Sequence, residues 1–160
     1  MTYKTSLDNV AKCVTVAVTI LFIAIIVGQY SIISNAGKFD PIYTTVALLL
    51  VYFLAFAFRP INYDLTNDKI IVHRLVSDVE IDRTKIKSVE LIKKEEIGAS
   101  IRTFGVGGLF GYFGRFVNVN LGKMTWYATR KDRAVLIRTI DNEKIILTPN
   151  EPEQFVANFN

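Results

Sequence analysis

Residues 13–58 read CVTVAVTILFIAIIVGQYSIISNAGKFDPIYTTVALLLVYFLAFAF, and these two apolar runs decide which solvent each part of the chain meets. The first run has no charged residue in the 25 positions from Cys13 to Gly37, and the second has none in the 18 positions from Pro41 to Phe58. About 20 helical residues are enough to cross a hydrocarbon core of about 30 Å. The pattern therefore predicts a membrane α-helical hairpin, with transmembrane helices over about 13–35 and 41–58.

Positive charge flanks the two runs on their outer sides. Lys4 and Lys12 precede the first run and Arg59 follows the second, whereas the connecting loop holds Lys38 balanced by Asp40. Lys and Arg concentrate in the short cytoplasmic segments of membrane proteins. We therefore expect two spans in the cell (cytoplasmic) membrane, with both termini and the following domain in the cytoplasm.

A cleaved signal peptide is the alternative for the first run, because Ser34-Asn35-Ala36 has the small-x-small form of a cleavage site. The uncharged run is longer than the usual apolar core of roughly 7–15 residues, and a second apolar run follows at once. An uncleaved anchor is the favoured interpretation.

The charge balance excludes some classes of partner. The 160-residue chain has a net charge of +4, and from Arg59 onward it has 16 Lys and Arg against 13 Asp and Glu. This surplus is too small to predict a nucleic-acid partner, although it suits an anionic lipid leaflet. The single cysteine, Cys13, excludes an intrachain disulfide and a multi-cysteine metal site. No metal or cofactor is predicted.

Apolar and polar residues alternate with a period of two beyond Arg59-Pro60, so residues 1–58 and 59–160 are expected to be separate regions. The pattern predicts about seven strands, at 61–65, 69–73, 79–82, 86–92, 124–129, 134–140 and 144–148. A terminal helix should follow, because Asn150 is a capping residue and Pro152 stands in the first turn. This helix would place Phe155, Val156 and Phe159 on the barrel that these strands are expected to form.

Residues suited to catalysis are sparse. His73 is the only histidine, and no Ser or Cys nucleophile stands beside it in the sequence. Asp78, Glu80 and Asp82 share one strand face, which is typical of a solvated surface. The chain is therefore not expected to be an enzyme.

One stretch, Phe104 to Phe116, is unusual because it holds five of the nine glycines interleaved with five aromatic residues. It matches neither a dinucleotide fingerprint nor a phosphate loop. By composition we expect a folded loop that is neither strand nor helix, and that either covers the barrel or contacts a partner or lipid. The candidate binding residues are Arg102, Phe104, Gly105, Gly107, Gly108, Phe110, Gly111, Tyr112, Phe113, Gly114, Arg115 and Phe116.

Three segments, Arg102 to Phe116, Leu121 to Thr129 and Leu147 to Phe155, together resemble the bacterial pleckstrin-homology-like (PH-like) domain proteins. The resemblance covers roughly residues 61–160. It implies a mainly-β domain, a bent barrel of seven strands closed by a carboxy-terminal helix, often behind membrane helices. Two features depart from the lipid-binding pattern: the turn at 66–69 lacks a cluster of Lys and Arg, and Phe155 replaces the usual Trp.

The favoured function is a membrane-anchored PH-like module for binding or assembly, which presents the glycine-aromatic loop or a strand edge to a protein partner or to a second copy. The alternative is a sensor of anionic lipid headgroups at the inner leaflet. It would use the basic residues Arg102, Arg115, Lys123, Arg130, Lys131 and Arg133. An enzyme is a remote third interpretation.

Overall fold

The computed structural model describes residues 1–36 and 40–159, beginning with a short strand and two long helices. Helix α1 spans Asn9–Ala36 and helix α2 spans Asp40–Ala57. Of the connecting loop expected from the sequence, residues 37–39 lie outside the described residues. The helices are held together by side chains: the Tyr52 hydroxyl and Thr19 Oγ1 are 2.7 Å apart, and Thr45 Oγ1 donates to Gln29 Oε1.

Within the described residues, one segment is long and apolar enough to cross a membrane. It is Asn9–Ser31, with 23 residues and a mean hydropathy of 2.7, whereas the apolar part of α2, Ile42–Ala57, is shorter. Apolar side chains cover the outer surface of both helices. Val16, Ile20, Leu21, Ile23 and Val27 of α1, and Val46, Leu49, Leu50, Val51, Phe53 and Leu54 of α2, are exposed.

The rest of the described chain folds into two β-sheets. The strands are β1 Thr2–Lys4, β2 Asn62–Leu65, β3 Lys69–His73, β4 Val79–Asp82, β5 Ile86–Lys93, β6 Ile101–Gly108, β7 Gly111–Asn118, β8 Gly122–Ala128, β9 Arg133–Thr139 and β10 Lys144–Leu147. The first sheet has the order β1-β2-β3-β4, and the second has the order β5-β9-β10-β8-β7-β6. Neighbouring strands are antiparallel, except that β10 runs parallel to β8. Helices α3, Lys94–Ile97, and α4, Pro152–Phe159, complete the fold.

The described strands do not form the seven-stranded barrel that the resemblance implied. All seven strands expected from periodicity are present, as β2 to β5 and β8 to β10, but the described residues contain three more, β1, β6 and β7. No β-ladder joins the two sheets within residues 1–36 and 40–159, so the barrel is not closed. The three strands were missed because β1 is too short to show a period and the other two are rich in glycine, which strands usually avoid.

The main core lies between the two sheets. Tyr63, Ile70 and Val72 from the first sheet pack with apolar residues of the second, and α4 covers one side. Phe155 of α4 is fully buried there, and Val156 and Phe159 pack against the same core. The predicted terminal helix and its three contact residues are therefore confirmed. A second core on the other face of the second sheet surrounds Trp126, Tyr112, Phe116, Met124, Leu136 and Ile146.

The segment before α1 belongs to the same folded unit. β1 pairs with β2, with Tyr3 opposite Tyr63, and the terminal amine of Met1 donates to the Leu65 carbonyl at 2.8 Å. Tyr3 is buried and its ring meets that of Phe155 edge-on, with 5.0 Å between centroids. The chain therefore enters α1 and leaves α2 at one end of the domain.

Candidate interaction surface

The glycine-aromatic stretch is a β-hairpin, so the expectation of a loop that is neither strand nor helix was wrong. β6 and β7 pair antiparallel from Ile101↔Val117 to Gly108↔Gly111, with a register shift between Arg102 and Phe104. The turn holds only two residues, and Phe110 in it has a φ of 58°. The structure thus brings all twelve candidate binding residues into one hairpin.

A pair of glycines makes this hairpin possible. Gly105 and Gly114 are cross-strand partners with φ values of 101° and 119°. A Cβ on Gly105 would lie 2.3 Å from the Phe113 carbonyl oxygen, and a Cβ on Gly114 would lie 2.3 Å from that of Phe104. The two backbones approach so closely that neither position can hold a side chain without a shift of the opposite strand. These glycines are required by a close contact between two strands, and such a contact is not visible in the local composition. The composition therefore suggested a loop.

The aromatic residues of the inner strand, β7, are structural. Phe116 stacks on Trp126 with 4.6 Å between ring centroids, and Tyr112 meets the same indole edge-on at 6.4 Å. Tyr112, Phe113 and Phe116 are all buried. These side chains are therefore packed within the domain.

The tip of the hairpin docks on the bases of both long helices. The Phe110 amide donates to Thr15 Oγ1 of α1 at 2.9 Å. The Phe110 ring meets Tyr52 and Phe56 of α2 edge-on, with centroids 5.1 and 5.3 Å away. The Arg59 guanidinium lies 4.3 Å from the centroid of the Phe56 ring. This turn thus bridges the domain and the helical pair.

The inner strand is also tied to the start of α1. Asp8 accepts a 2.7 Å bond from the Ala11 amide, which caps the helix, and the Tyr112 hydroxyl donates to the same carboxylate at 3.1 Å. Burial, followed by the Asp8 charge, raises the pKa of Tyr112, so its hydroxyl keeps the proton that it donates. The Lys131 ammonium lies 4.3 Å from the Tyr112 ring centroid, and burial lowers the pKa of Lys131. The bond between Tyr112 and Asp8 joins residues 104 positions apart, which no local pattern could reveal.

The outer strand, β6, has the opposite character. No strand within residues 1–36 and 40–159 pairs with its outer edge. Ile101 and Phe104 are 71% and 74% exposed, and Arg102, Gly105 and Gly107 are exposed beside them. An open edge with unpaired backbone groups and projecting apolar side chains is the usual template for strand addition.

A family model described as Bacterial PH domain matches residues 61–160. The chain belongs to the bacterial PH domain family. The match confirms the resemblance seen in the sequence. PH domains are generally non-catalytic, and membership suggests a binding or adaptor module without naming a partner. No curated protein and no solved structure matches the chain.

The six basic residues of the lipid-sensing alternative do not gather into one site on the PH domain. Arg115 and Lys123 line a groove of about 580 Å³ together with Lys144 and Glu143. Arg102 lies on the outer strand, while Lys131 covers Tyr112. Two others are paired with carboxylates: Arg130 Nε is 2.5 Å from Asp132 Oδ1, and Arg133 Nη1 is 3.5 Å from Glu153 Oε1.

His73 lies elsewhere on the PH domain, between two carboxylates. Its Nε2 is 2.9 Å from Asp64 and its Nδ1 is 2.8 Å from Asp78. The hydrogen bond with Asp64 is the main reason that the pKa of His73 is raised. A hydrogen bond with Thr2, then that with His73, lowers the pKa of Asp64. The acidic strand face is paired as well, with Lys69 2.8 Å from Glu80 and Lys85 3.6 Å from Asp82, as a solvated surface would be.

Proposed function

We propose that this protein is a membrane-anchored PH-domain module for binding or assembly, and that the outer edge of β6 is the surface that meets a protein partner or a second copy. The observation that carries the proposal is the contrast within the hairpin. Its inner strand and tip are occupied by the core and by the helices, whereas Ile101 and Phe104 of the outer strand are more than two-thirds exposed.

The anchor is the pair α1 and α2, acting as a membrane hairpin. β1 precedes α1 and β2 follows α2, yet the two strands are hydrogen-bonded. Strands of one sheet lie on the same side of a bilayer, because sheet edges do not occur within the hydrocarbon. If α1 crosses the membrane, α2 must therefore bring the chain back. The charge bias around Lys4, Lys12 and Arg59 favours the cytoplasmic side for the domain.

Docking of the hairpin tip supports a fixed presentation of the edge. Phe110 contacts both helices, and only Arg59 and Pro60 separate Phe58 from Ile61. A domain held in this way keeps β6 at a constant height and angle relative to the membrane. Partners confined to the same membrane would then meet the edge at a raised local concentration.

Sensing of anionic lipid is the alternative function, and it has less support. Arg130 and Arg133 are paired with acidic residues, and the groove that contains Arg115 and Lys123 also contains Glu143. A general attraction of the domain to anionic headgroups needs no dedicated site.

Photocrosslinking in native membranes tests the edge directly. A benzophenone amino acid replaces Phe104, and in a matched control it replaces Val119, which is fully exposed in the turn between β7 and β8. We expect discrete adducts from position 104, whose masses identify either a second copy or a particular protein. Phe104→Lys, which places a charge on the edge, should abolish adduct formation by a probe at Ile101.

Equal and weak crosslinking from positions 104 and 119 would contradict the edge as the binding surface. Adducts with phospholipid alone from position 104 would favour the alternative function. A reporter fused to the carboxy terminus that is active only outside the cytoplasm would overturn the proposed orientation.

A further inference from the structure

The loop between β3 and β4, residues 74–78, projects two neighbouring apolar side chains into solvent. Leu75 is 54% exposed and Val76 is 59% exposed. Single exposed apolar residues are common on protein surfaces. An adjacent pair at the apex of a tight loop instead favours contact with an apolar environment outside the domain.

The loop is held in one conformation by its own polar residues. Arg74 Nε donates to the Ser77 carbonyl at 2.7 Å, and the Arg74 amide donates to Asp78 Oδ1 at 3.2 Å. The other oxygen of Asp78 is bonded to His73, which anchors the loop to β3. The apex is therefore pre-organised, and covering its apolar side chains would cost little additional ordering.

The loop lies at the end of α2. The Leu75 amide donates to the carbonyl of Ala57, the last residue of that helix, at 3.1 Å. The Arg74 guanidinium lies 5.4 Å from the centroid of the Phe58 ring, beside the same helix end. Val119, which is as apolar and more exposed, is in a different place, because the eight residues of β7 separate its turn from Phe110 at the helix bases.

The length of α2 explains why the bilayer would reach this loop. The apolar segment Ile42–Ala57 has 16 residues, and at about 1.5 Å each it spans about 24 Å, less than the roughly 30 Å of hydrocarbon. A short span draws neighbouring protein surface toward the hydrocarbon boundary. The guanidiniums of Arg59 and Arg74 lie against the Phe56 and Phe58 rings at this helix end, where they would place positive charge beside the headgroups.

We propose that Leu75 and Val76 insert into the boundary between headgroups and acyl chains on the domain side of the membrane, as a second contact with the bilayer beside α2. The inference rests on the proposed membrane anchoring. It adds a site in the PH domain itself that lies at the membrane interface. Because the loop and the Phe110 turn contact the helices at separate points, this site would fix the rotation of the domain about the helical pair.

Depth-dependent fluorescence quenching of the full chain in phosphatidylcholine–phosphatidylglycerol vesicles tests the proposal. In a Cys13→Ser background, one environment-sensitive dye is attached to Val76→Cys, to Val119→Cys as the exposed control, or to Leu50→Cys as the reference within α2. Nitroxide lipids carry the quencher either near the glycerol or near the end of the acyl chain, and iodide serves as the aqueous quencher.

We expect the Val76→Cys dye to be blue-shifted, shielded from iodide and quenched more by the shallow nitroxide than by the deep one. The Val119→Cys dye should be quenched by iodide alone, and the Leu50→Cys dye most strongly by the deep nitroxide. The inference is overturned if the Val76→Cys dye behaves like the Val119→Cys dye while the Leu50→Cys dye stays in the hydrocarbon. That result would leave the proposed membrane anchor unaffected. A Leu50→Cys dye open to iodide overturns the anchor and the inference together.

Discussion

The two strands of the glycine-aromatic hairpin have similar compositions and opposite surroundings. Inner strand β7 lies between β6 and β8, so Tyr112 and Phe116 pack around Trp126. Among the described strands, outer strand β6 pairs with β7 alone, and its Phe104 remains 74% exposed. This difference shows that an aromatic residue in such a stretch is buried or exposed according to the position of its strand in the sheet. Under the proposed function, structural packing would belong to the inner strand and partner binding to the outer strand, so the two roles need not compete for the same residues.

The largest effect is expected when one phenylalanine on each strand is replaced by alanine. Phe116→Ala should lower the free energy of unfolding by about 3–5 kcal/mol, because it removes a buried ring stacked on Trp126. Phe104→Ala should change it by no more than about 0.5 kcal/mol, as is usual for an exposed site. Denaturant unfolding of the full chain in detergent, followed by Trp126 fluorescence, measures both. Similar losses for the two variants would show that β6 is packed against something.

A second test compares glycines on the two strands. Gly114→Ala should destabilise the protein by at least about 2–3 kcal/mol, since it combines a positive φ with a Cβ 2.3 Å from the Phe104 carbonyl oxygen. Gly107→Ala is the control, because its Cβ would meet only the flexible Arg102 side chain, at 3.5 Å. Unfolding midpoints and protease cleavage within the hairpin should both separate the variants. Equal tolerance of alanine would mean that the strands can move apart at low cost.

A third test concerns the tie between the inner strand and α1. Tyr112→Phe removes the hydroxyl that donates to Asp8 while keeping the buried ring, so we expect a loss of about 1–2 kcal/mol in unfolding free energy. Tyr43→Phe on α2 is the matched control, because that side chain is 77% exposed, and it should change stability little. Hydrogen exchange at the first turn of α1 should rise in Tyr112→Phe alone. Unchanged hydrogen exchange at that turn would show that the Tyr112 hydroxyl does not stabilise the contact between the domain and α1.

The smallest expected effect is the pH dependence of the His73 cluster, which is remote from both strands of the hairpin. The pKa of His73 is raised above 6.5 in the folded protein, chiefly by Asp64, so its stabilising contribution is complete below 6.5 and is lost as the pH rises through the raised pKa. The pKa of Asp64 is lowered below 3.8, first by Thr2, so its contribution is present above 3.8 and is lost as the pH falls further.

Wild type should therefore lose a little stability as the pH rises from 6.5 through the raised pKa of His73, and His73→Gln should flatten that slope. The loss is small because both partners are partly exposed and screened by solvent. Thermal unfolding across this range measures it. The gap between Phe116→Ala and Phe104→Ala should stay constant over the same range, and a gap that changed with pH would connect the hairpin to the His73 cluster.

Much of the architecture could be predicted from local patterns. Two uncharged runs indicated α1 and α2, alternation located seven strands, and the Asn150-Pro152 signal placed α4 with Phe155 on the core. These predictions succeeded because periodicity and capping depend on residues a few positions apart. The three missed strands depend on partners that are distant in sequence: β1 needs β2 some 60 residues later, and β6 and β7 need each other's glycines.

The sequence by itself determined that this protein has a helical apolar part and a mainly-β domain, because solvent preference and strand period depend on neighbouring residues. The PH family was indicated by the resemblance of three segments and not by these patterns. Only the tertiary structure decided that the candidate binding stretch is a hairpin with one strand in the core and one at an edge. It also decided that Phe110 and Leu75 meet the ends of the helices. Burial depends on which strand becomes a neighbour, and that choice is made by contacts across the whole chain, such as Phe110 with Thr15, 95 residues apart.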